Sequence, residues 1–144
     1  MRILALDVGE RRIGLAVCDE EEIIATPLDT VQRGRDLGTV LREIISRAEV
    51  EEAREIVVGM PVPLSGGTSR QREGVEAFVE ELRKVSPLPV AVADERMTSK
   101  IAERALIEGK VRRKDRKGVI DKVAAALILD GYLAQRRRSR TDGA

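Results

Sequence analysis

The sequence predicts an α/β domain built on a mixed five-stranded sheet, three antiparallel strands and then two parallel ones, flanked by helices. Two observations carry this. Three apolar stretches within residues 2–31 are separated only by short turns, and short connections join antiparallel neighbours. Beyond them, strand-length apolar runs alternate with stretches of helical period, and a strand–helix–strand unit implies a right-handed parallel crossover. The 144 residues are 42% hydrophobic, enough for one sizeable core and about the size of one domain.

Each element has its own signal. RILALD (Arg2–Asp7) is an apolar run ending in an acid, IGLAVCD (Ile13–Asp19) is a second strand, and EIIATPLDTV (Glu22–Val31) is a third with a bend expected at Pro27. Leu37, Val40, Leu41, Ile44, Ile45 and Ala48 then follow helical spacing, with Asp36 placed to cap the helix. EIVVGM (Glu55–Met60) is a buried strand that breaks at the Pro- and Gly-rich loop PVPLSGGTSRQ. A second helix carries Val75, Phe78, Val79, Leu82 and Val85 and stops at Pro87. Leu88–Ala93 is the fifth strand, and a helix with Ile101, Ala102, Ala105 and Leu106 ends at Gly109. The last helix spans Lys117 to Gln135, with Val119, Ile120, Val123, Ala124, Leu127 and Ile128 as its expected inner face. Residues 1–136 form the expected domain and residues 137–144 a flexible basic tail.

Composition removes several chemistries. There is no His, one Cys, no Trp, one Tyr and one Phe. A Ser-His-Asp triad, an imidazole base and His metal ligands are therefore excluded, as are an internal disulfide and a Cys-type zinc site. Two aromatics cannot build the stacking platform that many single-strand binders use. Cys18 is read as a strand residue packed as a small hydrophobe. Catalysis, if present, falls to carboxylates, Lys, hydroxyls, the thiol or an oxygen-held metal. No apolar stretch has the length of an export signal or a membrane span: Ile3–Leu6 is cut by Asp7, and the C-terminal run contains Asp121, Lys122 and Asp130. The cytoplasm is the expected location, with no membrane partner.

The formal net charge of +1 conceals a split. Residues 110–144 carry eleven basic and four acidic side chains, or +7; the other 109 carry fifteen and twenty-one, or −6. The basic part holds KVRRKDRK (Lys110–Lys117, including Arg112 and Arg113) and RRRSR (Arg136–Arg140). Such clusters are an electrostatic footprint for polyanions, although a solvated loop and a frayed tail account for them equally simply.

Acids fall at three telling places. Asp7 ends the first strand, Asp94 and Glu95 follow the fifth, and Asp121 lies near the start of the last helix. Ligands of such sheets bind at the carboxyl ends of strands. Three carboxylates at one point repel unless a cation neutralises them, and hard oxygen ligands select Mg²⁺ or Mn²⁺. Paired ions of this kind support phosphodiester hydrolysis without His or Cys. Taken singly, each acid also has a plain structural reading: Asp7 as a turn former, Asp121 as an acid near a helix N-terminus, and Asp94-Glu95 as a solvated turn.

Four ordered blocks give a sharper indication. DVGERRIGLAVCD (Asp7–Asp19), VVGMPVPLSGGTSRQ (Val57–Gln71), VADERMTS (Val92–Ser99) and KGVIDKVAAALILDGYL (Lys117–Leu133) resemble the motifs of the YqgF/RuvX family of the RNase H-like superfamily. Together they span nearly the whole chain; Cys18, where the family often has Ser, is a small departure. The resemblance implies an RNase H-like fold and assigns Asp7, Glu95 and Asp121 as catalytic, metal-binding acids, with Asp94 as the alternative to Glu95. It places Arg12, Arg96 and Lys117 at substrate or at charge in the site, although Arg12 could instead only fix the first hairpin. The loop holding Ser69 and Arg70 matches a family loop at a helix N-terminus, where a phosphate is readily bound; an ordinary turn explains it too. Arg112 and Arg113 join these as expected phosphate contacts.

The implied activity is a metal-dependent nuclease that processes the 5′ end of pre-16S rRNA, with pre-rRNA and ribosomal precursor particles as partners. The alternatives are a Holliday junction resolvase acting on branched DNA, which would need a homodimer, and a non-catalytic nucleic-acid binder in ribosome assembly. An actin-like ATPase or sugar kinase shares the D-x-G opening but needs two such domains, and this chain has room for one.

Overall fold

A computed structural model describes residues 1–61, 70–94 and 116–142, the last with its side chains over residues 120–140. Strands β1 (Ile3–Val8), β2 (Arg12–Cys18) and β3 (Ala25–Gln32) form an antiparallel meander. Helix α1 (Leu37–Val50) leads to β4 (Glu55–Met60), and α2 (Arg70–Val85) to β5 (Val90–Asp94), both strands joining in parallel. The spatial order is β3-β2-β1-β4-β5. A final helix, here α3 (Arg116–Asp142), lies over the middle of the sheet. The architecture is the mixed sheet expected from the sequence. The helix expected around residues 101–106 lies outside the described residues.

Strand alternation divides the interior into two layers. Leu4, Leu6, Ile13, Leu15, Ile56 and Val58 face α1 and α2, where Ile44, Phe78 and Leu82 complete the larger core. Ile3, Ala5, Ala16, Cys18 and Val57 face α3 and meet Ala125, Ala126, Leu129 and Leu133. Small side chains on both sides of this second layer let the helix backbone approach the sheet closely.

Local chemistry fixes the element ends. Asp36 caps α1 by accepting the Thr39 amide at 3.0 Å. Glu52, with φ 56°, turns the chain out of α1, and the Ala53 amide closes on the Ala48 carbonyl at 2.9 Å. The third strand starts at Ala25 rather than Glu22. Asp19 Oδ1 accepts the amides of Ile23 and Ile24 at 2.7 and 2.8 Å, and Glu22 adopts φ 60°, so residues 19–24 form a turn. The expected irregularity at Pro27 is a register shift: Leu15 pairs with Asp29 but Ala16 with Pro27, leaving Leu28 as an extra residue. Ser86 and Leu88 bond in a turn that delays β5 to Val90. Val85, expected in the core, is the last residue of α2 and is exposed.

Helix α3 differs most from expectation. It continues to Asp142, so most of the expected tail is helical. Its buried face centres on Ala125, Leu129 and Leu133, whereas Ile120, Val123 and Leu127 are half-buried. Residues 123–129 are all apolar, so periodicity alone could not select the inward face.

Candidate active site

The carboxyl ends of β1 and β4 and the beginning of β2 lie at one edge of the sheet. Asp7 belongs to β1, paired with Gly14 of β2, and is not a turn residue. The tight turn comes after it, where the Gly9 amide donates to the Arg12 carbonyl at 3.0 Å. A Cβ at Gly9 would lie 2.7 Å from that carbonyl oxygen, so the turn requires glycine.

Register places the acids by face. Ile3 and Ala5 point toward α3, so Asp7, two residues further along β1, points the same way. Gly14, directly opposite, faces α3 so closely that a Cβ there would overlap the Asp121 backbone carbonyl. That absent side chain is what seats the Asp121 turn of α3 against β2, beside Asp7. The sequence offers a signal for this close approach, a glycine inside a strand.

Asp121 is the sixth residue of α3, past the first turn, and so lies beyond the reach of the usual attraction of acids to a helix start. Its Oδ2 accepts the Arg12 Nε–H at 2.9 Å. Arg12 thus reaches from the first hairpin to a charge in the site. Burial pushes the Asp121 carboxyl above its ordinary range, and the Arg12 guanidinium opposes that push. Arg12 occupies one carboxylate oxygen; among the described residues nothing donates a hydrogen bond to Oδ1.

Asp94 pairs with Met60, whose side chain belongs to the α1/α2 layer. The register therefore directs Asp94 away from the face that carries Asp7. Glu95, Ser69, Arg96, Arg112 and Arg113 lie outside the described residues, as does the side chain of Lys117. Among the described residues no three acidic or Cys side chains gather closely enough to hold a metal ion. What is described is two carboxylates, Asp7 and Asp121, on one face at one edge: oxygen donors of the kind that suit a hard divalent cation. Arg70 opens α2 on the same edge, exposed. Cys18 takes no part, because its thiol is buried, raised in pKa mainly by that burial, and bonded to the Ile3 amide at 3.3 Å.

The sheet order, a three-strand meander followed by two parallel strands, is that of an RNase H-like domain. The fold resembles that of T. thermophilus RuvC in complex with Holliday junction substrate, with a TM-score of 0.60, 17% identity and coverage of 96% of this chain and 97% of that one. Residues 1–135 match the RuvX family, described as a Holliday junction resolvase, and the chain belongs to it. Two relatives named "Putative pre-16S rRNA nuclease" are close in length. The one from Halothermothrix orenii is 46% identical over 136 residues, covering 92% of this chain and 94% of its own. The one from Roseiflexus sp. is 39% identical over 136 residues, covering 94% and 96%.

Proposed function

We propose that this protein is a divalent-metal-dependent nuclease that hydrolyses phosphodiester bonds and processes the 5′ end of pre-16S rRNA in ribosomal precursor particles. The observation that carries the reading is the placement of Asp7 and Asp121 on one face at the carboxyl edge of β1. The names of the relatives support the rRNA substrate. Asp7 and Asp121, with Glu95, would hold Mg²⁺ or Mn²⁺; the direction of Asp94 favours Glu95 as the third ligand. When bound, such ions supply an activated water and stabilisation of the leaving oxygen.

The chain's own residues do the positioning. Gly14 sets the depth of α3, and Arg12 fixes the Asp121 carboxylate through Oδ2 while leaving Oδ1 to a ligand. Ser69, Arg70, Arg96, Lys117, Arg112 and Arg113 contact the phosphates of the substrate and so orient the strand without reading its sequence. The cytoplasm is the proposed location; among the described residues no helix is long and apolar enough to cross a membrane.

The test is cleavage of a precursor 16S 5′ segment with Mg²⁺ or Mn²⁺. Asp7→Asn should fold as the wild type does and lose at least about 100-fold in rate, the scale of removing one electrostatic contributor to a transition state. Equal cleavage by the two proteins would remove Asp7 from the mechanism. A second reading, junction resolution, draws on the family description. It requires two active sites related by a two-fold axis, so paired incision of a four-way DNA junction by a dimer, with rRNA precursor left uncut, would select it.

A further inference from the structure

A cavity of about 370 Å³ opens at the same sheet edge as Asp7 but on the α1/α2 side, between the β1–β2 turn and the start of α2. Gly9, Glu10, Arg33, Arg70, Gln71 and Gly74 line it. Its volume is within the range of about 300–1,000 Å³ typical of small-ligand sites.

Gly74 is poorly explained by the fold alone, and Arg33 and Arg70 bring charge to the wall. Gly74 lies inside α2, where glycine is among the least favourable residues. A Cβ there would meet nothing within 4 Å, so packing does not require its absence. Its effect is to leave bare backbone on the cavity wall, as sites that admit a ligand close to the main chain do. Arg33 is held in place twice: Nη1 donates to the Gly9 carbonyl at 2.7 Å, and the guanidinium lies 5.5 Å from the centre of the Phe78 ring. Yet among the described residues neither Arg33 nor Arg70 pairs with a carboxylate. Two guanidiniums against the single carboxylate of Glu10 leave the cavity wall positive, and fixed guanidinium donors suit phosphate oxygens.

We propose that this cavity is a second phosphate subsite, which grips a backbone phosphate of the nucleic-acid strand next to the one presented to Asp7 and Asp121. The inference rests on the nuclease reading and deepens it. Val8 and Gly9, which follow Asp7 directly, line the cavity, so a strand crossing the sheet edge meets both places.

Gly74→Leu tests it, because the side chain fills the cavity while improving the helix, and its melting temperature should equal or exceed that of the wild type. Binding of a short single-stranded RNA is measured on the full chain in chelator, so that no cutting occurs. Gly74→Leu and Arg70→Ala should each weaken binding about tenfold. Each should also make the plot of log affinity against log salt shallower by about 0.7, the value for one phosphate contact on a single strand. Affinities and slopes equal to the wild type's overturn the subsite. A loss confined to adenosine monophosphate, with RNA binding intact, assigns the cavity to a free nucleotide and overturns the strand contact. Cleavage with Mg²⁺ is read separately. RNA that binds, responds to both variants and is never cut overturns the nuclease reading and keeps the subsite; RNA that is cut while the variants bind normally does the reverse. RNA that does not bind the wild type overturns both.

Discussion

Gly14 controls the candidate site without contributing a functional group. Any side chain there would push against the Asp121 carbonyl, which belongs to helix backbone and cannot rotate away. Gly14→Ala should therefore shift the start of α3 and cost about 1–3 kcal/mol, the usual scale of overpacking. Cleavage should fall further than stability does, because the displaced residue is Asp121. Gly131, on the same helix, has nothing within 4 Å of a Cβ and is exposed. Gly131→Ala should stabilise by about 0.5–1 kcal/mol and leave cleavage unchanged. Urea unfolding and a rate measurement on both variants check the pair; a Gly14→Ala protein as stable and active as the wild type would discard this account. Arg12 acts at the same scale. It is the only cation among the described residues on Asp121, and Arg12→Ala would leave that half-buried carboxylate unpaired, at about 1–3 kcal/mol.

At the scale of elements, what was legible depended on whether the cause was local. The strand Glu55–Met60, the cap at Asp36 and the order of the three-strand meander rest on short-range pattern and capping chemistry, and each is as expected apart from the later start of the third strand at Ala25. Asp7 and Asp121 were singled out by position, but which face Asp94 takes needed the β4–β5 register. The far end of α3 was illegible, because its cause is 114 residues away: Glu22, held by a left-handed turn, receives Arg136 Nε at 2.7 Å and Arg140 at 2.9 Å, and its carbonyl accepts Arg137. The Met1 ammonium joins them at 3.1 Å. Burial pushes the Glu22 carboxyl up, but the hydrogen bonds from Arg136, the N-terminus and Arg140 outweigh it and bring the pKa down to about 2.

This lowering has a direction in pH. Below its ordinary pKa of 4.5 the unfolded Glu22 takes up a proton that the folded form refuses until about 2. Its contribution, of order 3 kcal/mol, is thus complete above 4.5 and is lost as pH falls toward 2. Asp19, Asp29 and Asp36 are lowered as well and share the acid slope. The difference between wild type and Glu22→Gln isolates the clamp: large at neutral pH and vanishing near pH 2. Parallel stability curves for the two proteins would show that the clamp contributes nothing.

For the whole molecule, the clamp alters what the charge split means. Counted by sequence, the C-terminal part carries +7. In the fold, Arg136 and Arg140 neutralise Glu22 of the acidic body, and Arg136 also approaches Glu55 at 4.0 Å. These two arginines are bound to the protein itself, so the terminal cluster meets a polyanion with less charge than its sequence suggests. On the proposed reading, the cluster from Lys110 to Lys117 would then carry the larger share of phosphate contacts. Arg112→Gln with Arg113→Gln should leave thermal stability near that of the wild type and make the salt dependence of RNA binding shallower by about 1.4, two contacts at about 0.7 each. Arg136→Gln with Arg140→Gln should instead lower stability, since it leaves the buried Glu22 carboxylate with the Met1 ammonium alone of its three cations, and change the salt slope by less than one contact. The two effects are separable by thermal unfolding and by RNA titration over a salt series. If the second pair flattens the slope more than the first, the terminal arginines hold RNA rather than Glu22, and the assignment of the two basic clusters is reversed.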